Sequence, residues 1–210
     1  MSALTLYDYQ RSSAAYRVRI ALNLKGLKAE TVPLNILPGH DEQFLPANRA
    51  KNPHMRVPFI ETDQGVLDQS LAILEWLDET HPSPPLLPAD PWTRAQARAF
   101  ALTIACDIHP LNNLSVLNRL KTQFSIGDDH IATWYTHWIG MGFAALEAEL
   151  KARPQTPFAF GDAPTIADIC LVPQMANARR YPMELSHFPR LMAIDAHARA
   201  HPAFAAAAPQ

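Results

Sequence analysis

The chain has 210 residues, 48% of them hydrophobic and 18% charged, with a formal net charge of −2. That balance is that of a globular protein able to bury a core, and it excludes the basic surplus expected of a nucleic-acid or anionic-membrane partner. No apolar run approaches the ~18 residues of a membrane-spanning helix, and the first residues lack the basic-then-apolar plan of a secretory signal. Only Cys106 and Cys170 are present, with no C-x-x-C, so no disulfide framework or structural zinc site is expected and a reducing cytoplasm is the default.

The 19 prolines outnumber the 7 glycines, and they cluster in His81-Pro-Ser-Pro-Pro-Leu-Leu-Pro-Ala-Asp-Pro91. Proline removes backbone donors and blocks helix, so residues 82–91 read as an extended linker between a domain at 1–81 and one at 92–210. In chain order the first domain alternates. Ala3 to Tyr9 reads as a strand. Ala14 to Lys25 reads as a helix, with Ala14, Val18, Ala21 and Leu22 on one face and Gly26 as its stop. Ala29 to Leu34 is a second strand, followed by a polar loop to Asn52. Phe59 to Thr62 and Val66 to Asp68 are short strands about the turn Asp63-Gln64-Gly65, and Ser70 to Thr80 is a helix. The order βαβ–ββα gives a mixed sheet with helices packed on it. Past the linker, Trp92 to Leu120, Asp129 to Arg153, Ile166 to Arg179 and Pro189 to Ala200 carry helical periodicity and no strand is evident. Ala203 to Gln210 reads as a poorly ordered tail.

Three pieces of the first domain can carry chemistry. Ser12 and Ser13 stand between the first strand and helix; one serine there is an ordinary N-cap, while two hydroxyls beside free N–H groups and a helix dipole also suit an anion, including a thiolate whose pKa is lowered there. Val57-Pro58 precedes a strand. It is either a plain trans proline or a cis peptide that turns the Val57 backbone outward, and cis accounts for only about 5–6% of X–Pro bonds in folded proteins. Gln69-Ser70 opens the next helix, where Ser70 is a cap or the pair binds a carboxylate.

Further along, Thr165-Ile-Ala-Asp168 fits a capping box and is assigned to folding. Arg179 and Arg180 follow a helix, where adjacent arginines serve the dipole or solvent, and Arg also offers a bidentate fork to a carboxylate. Cys106 lies about one helical turn before His109, which puts both on one face. No His or Cys has a companion at metal-ligand spacing, and no metal is expected.

The run Arg11-Ser-Ser-Ala-Ala-Tyr-Arg-Val-Arg-Ile-Ala-Leu-Asn-Leu-Lys-Gly26 resembles the N-terminal signature of zeta-class glutathione transferases. So do Asn52-Pro…Val57-Pro58, Gln69-Ser-Leu-Ala-Ile73, Ile108-His-Pro-Leu-Asn-Asn-Leu-Ser115 and Thr165-Ile-Ala-Asp-Ile-Cys-Leu-Val-Pro-Gln174. The resemblance covers nearly the whole chain. It implies an α/β thioredoxin-like N-terminal domain plus an all-α C-terminal domain, usually as a homodimer, and a cis Val57–Pro58 bond. It implies reduced glutathione as cofactor: Val57 pairs with its cysteine, Gln69 and Ser70 hold the γ-glutamyl end, Gln43 serves the glycyl end, Ser12 and Ser13 face the sulfur, and His109, Asn113 and Ser115 approach from the helical domain. Arg180 is placed near the substrate, with Arg11 as a second candidate, while Arg17 and Arg19 are read as structural. One departure is Ala14, where the zeta pattern commonly has cysteine.

The activity implied is a glutathione-dependent cis–trans isomerisation of a maleyl keto acid, maleylacetoacetate or maleylpyruvate. A thiolate adds to the activated alkene, lowers its bond order, and leaves after rotation. The alternatives are a transferase that conjugates or dehalogenates small α-haloacids with the same thiolate, and a non-catalytic binding module.

Overall fold

The computed structural model describes residues 4–209. By internal contacts the chain divides into two units, one running to Leu86 and taking in the segment from His201 onward, the other Leu87–Ala200.

In the first unit, four strands, β1 (Thr5–Asp8), β2 (Glu30–Pro33), β3 (Phe59–Thr62) and β4 (Gly65–Asp68), form one sheet in the order β2-β1-β3-β4. β1 is parallel to β2 and antiparallel to β3, and β3 is antiparallel to β4. The period-2 pattern splits the apolar residues between faces. Tyr7 and Phe59 stack at 4.1 Å and cluster with Leu34, Val32, Ile36 and Val57. Leu6 and Ile60, paired across β1 and β3, point the other way and are buried.

Helix α1 (Ser13–Leu24) ends in a Schellman motif, with Gly26 at φ 65° donating to Asn23 O and Leu27 N–H to Leu22 O, the left-handed stop that glycine makes easy. The polar loop after β2 contains a 3₁₀ turn (Glu42–Phe44) and α2 (Pro46–Lys51). Helix α3 (Ser70–Thr80) follows β4. The Val57–Pro58 bond is cis, as is Ser83–Pro84.

The reading of Ala203–Gln210 as a loose tail is corrected for Ala203–Ala207, and Gln210 lies outside the described residues. Pro202–Ala207 is a short helix packed along α1. Tyr16 Oη donates to Phe204 O, Arg19 Nε to Ala207 O and Asn23 Nδ2 to Ala203 O, and Phe204 is fully buried. Alanine-rich composition hid it, because the anchoring donors lie about 180 residues away in sequence.

The second unit is helical: α4 (Pro91–Leu102), α5 (Leu114–Phe124), α6 (Asp128–Lys151), α7 (Ile166–Ala178) and α8 (Pro189–Ala200); the short C-terminal helix of the first unit is α9. The single helix expected over Trp92–Leu120 is broken. Pro110 has no N–H to give and its ring displaces the carbonyl four residues back. Thr103–Ile108 therefore runs as a π-helical turn, with His109 N–H bonded to Ile104 O, a 3₁₀ turn follows at Pro110–Asn112, and Asn113 caps α5. Gly142 of α6 makes room for this turn, since a Cβ there would lie 2.3 Å from Ile108 Cδ1.

One buried lysine fastens the first unit. The Lys25 side chain has no solvent exposure, and its ammonium donates to Asp78 Oδ1 (2.6 Å), His81 O (2.6 Å) and Pro84 O (2.5 Å), while Asp78 Oδ1 also accepts Leu86 N–H. Lys25→Met should destabilise the protein by about 3–5 kcal/mol, because it strands the Asp78 charge and two carbonyls. Urea unfolding of the variant against the parent reads this directly.

Candidate functional site

The sheet topology gathers the three N-terminal motifs. β1 and β4 are both antiparallel to β3 and hence parallel to each other. Helix α1 follows β1 and α3 follows β4, so both helices start at the same end of the sheet. β3 begins at that end too, with Phe59 opposite Tyr7 and Asp68, which puts Val57-Pro58 beside Ser12-Ser13 and Gln69-Ser70. The first turns of α1 and α3 contain no acidic residue, so their free N–H groups and positive dipole ends are left for an anion.

Ser12 is the N-cap of α1, its Oγ accepting the Ala15 N–H at 3.2 Å. That use of a lone pair leaves its O–H to donate. Ser13 is the first helical residue and is buried, Ala14 follows it half-buried, and Arg11 is exposed in the preceding turn. Gln69 is the residue before α3 and sits at φ 65°, ψ 109°. A non-glycine residue with positive φ is uncommon and carries a local energetic cost, the kind of backbone found at ligand sites. Ser70, the first residue of α3, is buried and accepts a hydrogen bond from Arg17 Nη1 at 3.2 Å. Gln43 lies in the 3₁₀ turn, buried, with its Oε1 unpartnered among the described residues.

Sequence reasoning missed two features of this unit. Lys51 pairs with Glu61, which accepts the Tyr7 hydroxyl at 2.9 Å, and the ammonium lies over the Tyr7 ring. Hydrogen bonds from Lys51 and then Tyr7 lower the Glu61 pKa and that to Glu61 raises Lys51. The other is Arg17, which is 2% exposed on α1. A signal was present, since Arg17 falls at i+3 from Ala14, on the apolar stripe, where a charge is out of place.

In the second unit, His109 is half-buried just after the π turn, while Cys106 within the turn is exposed. Widening the helix rotates these two residues further apart than the α-helical spacing predicts. Asn113 and Ser115 come together in a cap. Asn113 Oδ1 accepts both the Ser115 N–H (3.0 Å) and its hydroxyl (2.9 Å). Both adjacent arginines are exposed. Arg179 pairs with Asp195 of α8, and Arg180 lies near Tyr135, a buried phenol stacked on Tyr181 at 3.9 Å. Burial and Tyr181 push the Tyr135 pKa up, and the Arg180 charge opposes them. Among the described residues no group of three or more His, Cys, Asp or Glu could hold a metal ion, and no helix is long and apolar enough to cross a membrane.

The family model described as glutathione S-transferase, N-terminal domain, matches residues 6–85, and that for the C-terminal domain matches residues 139–206. A maleylacetoacetate isomerase of Pseudomonas aeruginosa is 44% identical over 98% of this chain and 96% of its own length. Among solved structures, a holo maleylpyruvate isomerase described as a bacterial zeta-class glutathione S-transferase superposes with TM-score 0.94 and 43% identity, covering 98% of this chain and 96% of its own. A maleylacetoacetate isomerase of Anaeromyxobacter dehalogenans, with dicarboxyethyl glutathione and citrate in its active site, gives TM-score 0.85 and 39% identity over 99% of this chain and 91% of its own. The chain belongs to the glutathione transferases, in the zeta class, with the thioredoxin-like and helical domains of that family.

The capping box of α7 serves folding. Thr165 Oγ1 accepts the Ala167 N–H, and Asp168 accepts the Thr165 N–H (2.8 Å), the Thr165 hydroxyl (3.1 Å) and the Ala159 N–H (2.8 Å). Burial pushes the Asp168 carboxyl from its ordinary 3.8 up to about 6, against the pull of those donors. A raised folded-state value favours the protonated form, so this group's contribution to stability is full below about pH 4 and is lost as pH rises through 6. The shift corresponds to about 3 kcal/mol. The stability difference between the parent and Asp168→Asn, measured by denaturant unfolding, should therefore shrink between pH 4 and pH 7.

Proposed function

We propose that this chain catalyses the glutathione-dependent cis–trans isomerisation of a maleyl keto acid, with maleylacetoacetate and maleylpyruvate both within its chemistry. The observation that carries the reading is the meeting of two acid-free helix N-termini and the Val57-Pro58 edge at one end of the sheet. This end fits glutathione, an extended peptide with an α-carboxylate at one end and a thiol at its middle. When bound, glutathione supplies a thiolate that adds to an electron-poor alkene and leaves again, so the carbon–carbon bond turns while its order is lowered.

The chain's own residues bind, orient and stabilise charge. Ser12 and Ser13 at the start of α1 donate to the sulfur, and the α1 dipole favours its anionic form. The Val57 backbone pairs with the cysteinyl unit, Gln69 and Ser70 hold the γ-glutamyl end, and Gln43 serves the glycyl end. His109, Asn113 and Ser115 complete the contacts to the cofactor, Asn113 through its amide N–H donors, since its Oδ1 already accepts both donors of Ser115. Arg180 holds a substrate carboxylate. Arg11 is the second candidate. Dicarboxyethyl glutathione, found in the Anaeromyxobacter enzyme, carries two carboxyl groups beyond those of the peptide, as a maleyl-derived ligand would. The protein works as a homodimer in the cytoplasm; Phe44 and Leu45, 53% and 51% exposed, offer apolar surface to a partner copy.

Purified protein given maleylacetoacetate or maleylpyruvate should form the trans isomer only when glutathione is added, and free glutathione should be recovered in full. Net consumption of glutathione would instead make the chain a conjugating transferase. Arg180→Ala should lower kcat/KM for the keto acid at least about tenfold, roughly 1.4 kcal/mol, with glutathione affinity little changed. Equal loss of both would remove Arg180 from the substrate role.

A further inference from the structure

The α1 helix carries a guanidinium that the fold buries with no counter-charge among the described residues. Arg17 is 2% exposed. Its Nη1 donates to Ser70 Oγ at 3.2 Å, whereas Nε and Nη2 have no partner among the described residues. A buried charge is costly unless it is paired, and its neighbours on the same helix are paired. Arg19 holds Asp8 with two short bonds, and Lys25 holds Asp78.

Arg17 ends against the first residue of α3, where the free N–H groups and the dipole have the same sign as the guanidinium and the first turn supplies no acid. Two positive fields thus act on one place. The bond from Nη1 also occupies a lone pair of Ser70 Oγ, so the Ser70 hydrogen is directed away from the guanidinium and the hydroxyl becomes a donor. The combination selects a planar anion that accepts from a hydroxyl and from backbone N–H groups while sitting close to a fixed cation.

We propose that Arg17 is a positioning residue for the cofactor: clamped behind Ser70, it orients that hydroxyl and supplies the buried positive charge that retains the α-carboxylate of the γ-glutamyl residue at the N-terminus of α3. This rests on the glutathione reading above and adds a buried residue to it. It also explains why a long cation stands on the apolar face of α1. A lysine at this position keeps the charge but cannot clamp Ser70 with a planar fork.

The test compares two peptides, reduced glutathione and 4-aminobutyryl-cysteinyl-glycine, which is the same molecule without the α-carboxylate. Calorimetric titration of the parent, Arg17→Lys and Arg17→Gln gives the affinities. The parent should prefer glutathione by on the order of ten- to a hundredfold, the worth of a charge-assisted contact. Arg17→Gln should lose most of that preference while binding the carboxylate-free peptide as the parent does, and Arg17→Lys should keep part of it. Equal weakening toward both peptides would make Arg17 merely structural, and an undiminished preference in Arg17→Gln would place the carboxylate elsewhere; either result overturns the proposal. Should the variants fail to fold, the parent alone decides it. The Arg17 Nε–H resonance should shift with glutathione and stay in place with the carboxylate-free peptide, and identical responses to the two overturn the assignment. If the parent binds neither peptide, the glutathione reading itself falls.

Discussion

The Lys25 ammonium sets the geometry on which the first unit depends. It is closed off from solvent and satisfied by three oxygens, one from the last turns of α3 and two from the proline-rich segment. A rigid helix pinned at its C-terminal end has few ways to place its other end, and α1 is further fastened along its length by α9 and by the Asp8–Arg19 pair. Ser12 and Ser13, the residues proposed to face the sulfur, lie at the opposite end of that rod. The cost of immobilising side chains at that end is thus met in part by contacts remote from it.

The cations sort by what the fold has already spent on them. Arg19, Lys25 and Arg179 each face a carboxylate, Lys25 fully buried and Arg179 exposed, and in each case the partner comes from another element. Asp195 shows the limit of this arrangement. Burial raises its pKa, while Arg179, then Arg199, pull it back. Arg17 is more deeply buried than Arg179 and has no carboxylate partner among the described residues. That difference, rather than any feature of its sequence neighbours, is the ground on which we propose a ligand role for Arg17 and not for the paired cations.

Much of this was legible in the sequence, and the failures have physical reasons. β3 and α8 have the expected bounds because proline, glycine and turn residues punctuate them. The capping box at Thr165 is written in two residue types at fixed spacing, and its geometry follows. The break at Thr103–Asn113 was missed because helical periodicity of apolar residues survives a π turn, while Pro110 acts on the backbone without disturbing the pattern. The packing of α9 was missed because its partners are donors far away in the chain. Likewise, the family resemblance pointed to Ser70 and Gln69, but no motif states that Arg17 reaches Ser70, since that contact depends on the packing of α1 against α3.

The placement of the sulfur follows from the same topology. Both helices that start at the binding end of the sheet present hydroxyls, backbone donors and positive dipoles there, which is machinery for stabilising an anion and not for supplying a nucleophile. The position in the first turn of α1 where a protein thiol would gain most from the dipole holds Ala14. Of the two cysteines, Cys170 is fully buried inside α7, where it packs as a small apolar group, and Cys106 belongs to the π turn of the second unit. A thiol pKa falls only where positive potential reaches it, and in the first unit that potential is concentrated where the protein has no sulfur of its own. The reacting thiolate must therefore arrive with the ligand. A ligand that brings its own nucleophile needs a second, unreactive anchor to fix its orientation, because a sulfur held by dipoles alone can rotate. The carboxylate cradle that we propose at α3, on the same end of the sheet, answers that requirement.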